Sequence, residues 1–409
     1  MHGGQRGPDM ARILIAGGSL GGLFAANILH REGHDVLVLE KATESLDGRG
    51  AGIVTHAALK RGLVRAGATV DDTLGVSVKS RVSLQTDGTP DVTLDFPQVL
   101  TSWSRLYQLL LEVLPGDNYV YGASVKSVTQ DERSVTVLCE DGRQFSGDLL
   151  LASDGIRSAV RAQYAPQVQP QYAGYVAWRG VCDEALLSKF TLDSVFDRFG
   201  FGLPPGEQLI GYPVAGVGNS TARGKRRYNF VWYRPAPEPD GLNALLTDAD
   251  GNFFPLGIPP NKVSWRNVAA MREAGRRLLA PQFAEILEKT ALPFLQPIYD
   301  VYSEQIAFGR VMLMGDAAFV ARPHCGMGVT KAAQDAGAAA DAIARHGATV
   351  AAALAYQQER LQPGQDVIQL ARNLGAYMQS QTGSRKGTVA RSDENVVRET
   401  AVDPAEALV

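Results

Sequence analysis

The residues best suited to chemistry begin with a glycine cluster. Gly17, Gly18, Ser19, Leu20 and Gly22 lie between an apolar run, Ile13 to Ala16, and an amphipathic stretch, and a second apolar run, Val36 to Leu39, closes on Glu40 and Lys41. Gly17, Ser19 and Gly22 occupy the three positions of a G-x-G-x-x-G pattern. In it the first residue makes a tight turn, the second lets backbone approach a pyrophosphate, and the third lets helix pack on strand. Ser19 departs from the pattern, but its side chain is small and its hydroxyl can bond a phosphate. A helix started here offers free N–H groups and a positive dipole end to the pyrophosphate. Glu40, ending the second strand, can accept bonds from ribose hydroxyls and favours an unphosphorylated ribose, hence FAD or NAD rather than NADP. The spacing predicts a strand–helix–strand unit that holds a dinucleotide; a merely structural glycine turn is the competing reading.

Other reactive types are sparse. Cys139, Cys182 and Cys325 are odd in number, widely spaced and without a C-x-x-C pair. That suits reduced thiols in a cytoplasm and predicts neither a disulfide redox centre nor a metal site. The chain has 409 residues, 45% hydrophobic and 20% charged, an ordinary globular composition with room for two or three domains. A net charge of −3 gives no pull toward nucleic acid or an anionic membrane. No apolar run approaches the ~20 residues of a membrane span. The leading MHGGQRGPD has no apolar core of a signal peptide and reads as a flexible extension.

The elements that must position these groups follow from hydrophobic period. Ala57 to Ala66 and Leu106 to Leu114 read as helices, the second stopped by Pro115; Val76 to Leu94 alternates as strand, and Val125 to Thr129 with Val135 to Glu140 read as a hairpin. An apolar strand, Asp148 to Ala152, leads into SDGIRSAVR. From Tyr172 to about Trp265 aromatic and β-branched residues between Gly and Pro turns suggest an antiparallel sheet. Helical sequence resumes near Val268, and a last strand, Val311 to Met314, delivers GDAAFVARPHCGMGV. There are no internal repeats. Nucleotide-binding pieces are thus expected in 10–75, 101–165 and 276–345, a β-rich domain in 76–100 and 166–275, C-terminal helices in 346–380, and flexible tails in 1–9 and 381–409.

The stretch Ala152 to Arg161, ASDGIRSAVR, resembles the Asp-Gly motif of the single-component flavoprotein aromatic hydroxylases, and Gly309 to Val329 resembles their Gly-Asp motif and the proline-glycine turn beyond it. Between them AGYVAWRG, YPV and NFVWYRP are most similar to the hydroxypyridine branch. The resemblance covers about Ile13 to Ser380. It implies an α/β fold: a Rossmann-like FAD-binding domain with an interleaved, mainly antiparallel β substrate domain and C-terminal helices. It also implies that Asp154, Gly315 and Asp316 join the first motif in binding FAD. Pro323, Gly326, Met327, Gly328 and Val329 would then set a helix start against the pyrimidine edge of the flavin, where the dipole stabilises the reduced anion. Arg49 would lie near a moving flavin, or be a solvated surface arginine. Arg105 stands near the position of a cofactor-contacting arginine, although the better register places Trp103 there.

The resemblance further implies that NADH or NADPH reduces FAD as a transient donor, and that O2 then forms a hydroperoxyflavin that oxygenates an electron-rich ring. Such a site needs a base or hydrogen-bond relay and a dry pocket. Tyr212 resembles a pocket position that orients a ring hydroxyl. In YNFVWYR one face carries Tyr228, Phe230 and Trp232, the other Asn229, Val231 and Tyr233; Trp232 and Tyr233 are candidate ring contacts, although one face must pack. Pro323 adjoins them. His56 and His324 are the histidines nearest the expected flavin, each either a base or an ordinary hydrogen-bonded histidine. The expected substrate is a small phenolic or hydroxypyridine ring, with Arg179, Arg198 and Arg234 available should it carry a carboxylate. Neither a nucleic acid nor a membrane partner is expected, and a homodimer is left open. A flavin-dependent reductase or halogenase, or a noncatalytic FAD-binding protein, are the alternatives.

Overall fold

The computed structural model describes residues 10–46, 52–379, 391–403 and 405; Arg49 lies outside them. The apolar run after Ala11 forms the strand Arg12–Ala16, parallel to Asp35–Leu39 on one side and to Leu149–Ala152 on the other. Ile13, Leu14, Ile15 and Ala16 are fully buried, as a central strand covered on both faces requires. Val311–Leu313 and Tyr119–Val120 extend this sheet in parallel, and Ala307–Phe308 closes its edge in antiparallel sense. The helices Leu20–Arg31 and Gly328–His346 pack on it. All the nucleotide-facing loops therefore leave the same, carboxyl-terminal edge of a parallel sheet.

An eight-stranded sheet follows in the order Phe294–Asp300, Gln171–Asp183, Arg227–Pro235, Gln208–Val214, Phe199–Gly202, Val76–Leu84, Pro90–Ser102 and Gly52–Val54. It is antiparallel except where Phe199–Gly202 runs parallel to Val76–Leu84. Its two faces are separated by alternation along Arg227–Pro235. Tyr228, Phe230 and Trp232 pack with Phe283, Ile286 and Leu287, whereas Val231 and Tyr233 join Tyr175, Phe199, Phe201 and Tyr212 on the opposite face. The chain thus has the α/β architecture with interleaved β domain that the resemblance implies.

Three boundaries differ from expectation. The helices Trp265–Leu278 and Pro281–Lys289 and the strand Phe294–Asp300 pack into the eight-stranded sheet, so residues 276–300 belong with it rather than with the nucleotide-binding elements. The region 346–380 holds one helix, Val350–Gln379, which continues through Pro363. Its buried face, including Tyr356, Ile368 and Ala371, outweighs the backbone hydrogen bond that a proline removes. The expected flexible tail contains the helix Asp393–Glu399, with Val396 and Val397 buried against the sheet; two apolar residues in a polar stretch give no period to read. Among the described residues no helix is long and apolar enough to cross a membrane.

Candidate functional site

The nucleotide half is made mostly of backbone. Gly17 has φ +94°, and a Cβ there would lie 2.4 Å from the Ser153 carbonyl oxygen; a Cβ on Gly22 would lie 1.9 Å from that of Gly17. The turn and the helix–strand approach read from the sequence are both present. The helix Leu20–Arg31 starts at Ser19, whose side chain makes no capping bond, so its first N–H groups keep donors to offer. Glu40 is 5% exposed; its Oε2 accepts from the Gly18 N–H at 2.7 Å and its Oε1 from that of Ala42 at 2.8 Å. These bonds fix the carboxylate in the wall of a cleft of about 330 Å³ that Gly17, Ser19, Lys41 and Asp154 also line. Asp154 Oδ2 accepts from the Val160 N–H, while Oδ1 is buried without a protein partner. Burial raises this carboxyl's pKa, and an unpaired buried acceptor is a place where a ligand's hydroxyl can donate.

The Gly315–Asp316 turn is clamped from below. Lys331 Nζ donates to the Gly315 oxygen at 2.8 Å and pairs with Asp335 at 3.2 Å, Gly315 N–H donates to Asp335 Oδ2 at 3.0 Å, and Arg360 Nε donates to Asp335 Oδ1 at 2.8 Å. Lys331 and Asp335 are buried. Burial pushes the Asp335 carboxyl up, but Lys331 and Arg360 overcome this and leave it below its ordinary range. Asp316 is exposed at the turn, yet the surrounding protein desolvates its carboxyl and raises its pKa, with Lys331 opposing. Pro323–Cys325 then turns through Gly326 into the helix Gly328–His346, whose N-cap Met327 provides no capping side chain. This leaves its first-turn N–H groups available to an anionic edge.

The ring half is made of side chains. His324 is buried, its Nδ1 3.1 Å from Gln208 Oε1 and its Nε2 2.7 Å from the Tyr175 hydroxyl. Gln208 Oε1 can only accept, so Nδ1 carries the proton, and Nε2 accepts from Tyr175. Burial, helped by Arg322, holds the imidazole down to about 3, which keeps it neutral. Tyr233 stands edge-on to it at 4.5 Å between ring centroids, its phenol pushed up to about 12 by burial, with Arg179 opposing. Tyr212 stacks on Phe199 at 4.9 Å and is likewise raised by burial against Arg179. Asn229, paired with Tyr212 across the ladder, accepts the Gly52 N–H at 3.1 Å. His56 Nδ1 lies 2.9 Å from Thr330 Oγ1 and its Nε2 3.5 Å from the Ala401 oxygen.

Tyr233 lies against His324, Tyr212 shares the apolar cluster of Tyr233, Pro323 adjoins His324 in the chain, and His56 stands 3.5 Å from where a Gly326 Cβ would lie. Trp232 does not join them: it faces the helices on the packing side, with Arg234 at 4.5 Å above its ring. Arg105 donates to Thr73 Oγ1 at 2.6 Å and does not line the nucleotide cleft. Sequence reasoning missed Tyr175, Gln208, Lys331 and Asp335. The last two left a signal, a charged i,i+4 pair in an alanine-rich helix. Tyr175 and Gln208 left none, because only strand register sets Gln208 opposite Tyr233.

Comparison with known proteins agrees with this geometry. A family model described as an FAD binding domain matches residues 10–199 and 280–371, and one described as FAD binding domain-like matches 172–300. The 2,6-dihydroxypyridine 3-monooxygenase of Paenarthrobacter nicotinovorans is 29% identical over 377 residues, 91% of this chain and 92% of that protein. The 3-amino-4-hydroxybenzoate 2-monooxygenase of Streptomyces cremeus is 28% identical over 378 residues, 89% of this chain and 86% of that protein. The solved structure of 2,6-dihydroxypyridine-3-hydroxylase from Arthrobacter nicotinovorans superposes with a TM-score of 0.85 at 27% identity, covering 94% of this chain and all of that one.

Proposed function

The chain belongs to the FAD binding domain family, that of the FAD-dependent aromatic hydroxylases, and from that premise we propose that it hydroxylates a phenolic or hydroxypyridine ring with O2 and electrons from NADH or NADPH. FAD is the cofactor, and when bound it supplies electron transfer and oxygen activation. Glu40 and Asp316 would accept from its ribose hydroxyls, Asp154 Oδ1 would take a donor of the nucleotide, and the first-turn N–H groups of Gly328–His346 would stabilise an anionic flavin. The observation that carries the substrate reading is His324, neutral and tied between Gln208 and Tyr175 beside Tyr233. A ring hydroxyl placed at this relay can donate a hydrogen bond to the Tyr175 hydroxyl, which itself donates to Nε2, and that polarisation makes the ring more electron-rich. Tyr212 and Tyr233 orient the ring, and the apolar face around them keeps water out. The 2,6-dihydroxypyridine relative, matched over 91% of this chain, favours a hydroxypyridine over a hydroxybenzoate. The test is to purify the FAD-loaded protein and measure NADH and NADPH oxidation with a panel of hydroxypyridines and phenols. Strong stimulation by a hydroxypyridine is expected, with hydroxylated product. A rate indifferent to every ring sinks the reading.

A further inference from the structure

The segment 397–401 belongs to the ring site by its bonds. Arg81, fully buried, donates from Nη1 to the carbonyl oxygens of Val397 and Thr400, each at 2.7 Å. Its Nε and Nη2 donate to Gln98 Oε1 at 3.0 and 2.8 Å, and Phe96 and Phe199 cover its planes. Among the described residues no carboxylate pairs with it, so the carbonyls of this segment carry much of its solvation. From there the chain reaches the site. Gln208 Nε2 donates to Thr400 Oγ1 at 3.1 Å, Ala401 N–H donates to the His324 oxygen at 2.8 Å, and the Ala401 oxygen faces His56 Nε2. Ala401 adopts φ +54°, a left-handed conformation uncommon for alanine, which the bonds on either side hold in place.

One consequence is positional: Thr400 Oγ1 holds one end of the Gln208 amide while the other end meets His324 Nδ1, so without the hydroxyl the amide is free to turn and its bond to His324 loosens. We propose that residues 397–401 form a wall of the ring site, in which Thr400 is a positioning residue that holds Gln208, and through it the His324 ring, in place, and Arg81 holds Thr400. The proposal rests on the aromatic-hydroxylase reading for its use of the ring.

The test compares the FAD-loaded wild type with Thr400→Val, Thr400→Ser and Arg81→Met. Ring-nitrogen signals of His324 by 15N NMR, amide exchange of 396–401, FAD affinity and ring affinity are read in each. Thr400→Val is expected to shift the His324 signals and weaken ring binding about fivefold, the size of one hydrogen bond, with FAD affinity unchanged; Thr400→Ser restores both. Arg81→Met is expected to speed amide exchange in the segment and reproduce the Val pattern. Should Arg81→Met fail to fold, the Thr400 pair decides alone. Unchanged His324 signals in Thr400→Val, or no restoration by serine, overturns the proposal. If no ring binds the wild type, the substrate reading has failed, and the His324 signals still decide the role of Thr400.

Discussion

The two halves of the site are built by opposite means. Around the nucleotide cleft, function resides in backbone: glycine turns, strand ends and helix starts, with carboxylates held open to a polar ligand. Around the ring, function resides in side chains from distant strands, each locked by another and closed from water. The first half should therefore be intolerant of a single added carbon, and the second should keep its fold while losing its chemistry. The hardest test of that contrast is Gly22→Val. Its Cβ would meet the Gly17 oxygen at 1.9 Å, so the helix must move off the strand, at a cost of about 3 kcal/mol or more. The expected product is protein without flavin, read from the ratio of flavin to protein absorbance. Full flavin loading would break the backbone account.

The ring half supplies the next largest effect. His324→Gln should lower turnover by roughly 10²-fold, the lower end of what a positioned acid–base relay contributes, while FAD affinity stays put. The same variant changes the pH dependence of stability. An imidazole with an ordinary value of 6.5 is held down to about 3 in the fold, so below 6.5 the unfolded chain binds a proton that the folded chain refuses. Stability from this group is complete above about 6.5 and is lost as pH falls toward 3. Denaturant titrations across that window should show a slope in the wild type that is flatter in the variant; identical slopes would mean His324 is not sealed as described.

Back at the nucleotide, Asp316→Ala should weaken FAD binding by about 2 kcal/mol, roughly 30-fold, as loss of a charged hydrogen bond does. Equilibrium dialysis of FAD reads it. Lys331→Met offers a sharper version, because the lysine is fully buried and its ammonium bonds the Gly315 oxygen of the turn. Unchanged affinity in both variants would move the ribose contact elsewhere.

The same contrast explains what could be read from sequence. A backbone-built site needs its residues close together in the chain, so Gly17, Gly22, Glu40, Asp154 and Asp316 announce themselves as strand-end motifs. A side-chain site depends on which face of a strand each residue takes and on cross-strand register. Alternation correctly divided Tyr228, Phe230 and Trp232 from Val231 and Tyr233, but it could not say which set packs on the helices and which lies against His324. It could not pair Gln208 with Tyr233, nor bring Thr400 beside Gln208 across 192 positions. The tail was misread for the same reason: Val396 and Val397 bury their side chains against a sheet laid down some three hundred residues earlier.

The smallest expected effect tests that division of faces directly. Trp232 packs beneath the helices with its Nε1 buried and without a protein partner, whereas Tyr233, one residue on, lies against His324. In Trp232→Phe, lost ring volume destabilises while removal of an unsatisfied donor relieves a cost, so the two changes oppose and the net should be about 1 kcal/mol or less. Its KM for the ring and its yield of hydroxylated product per nicotinamide oxidised should match the wild type. Tyr233→Phe, which removes one oxygen on the opposite face, should leave stability nearly unchanged yet raise KM or uncouple turnover. If Trp232→Phe moves KM as far as Tyr233→Phe does, the faces have been assigned the wrong way round.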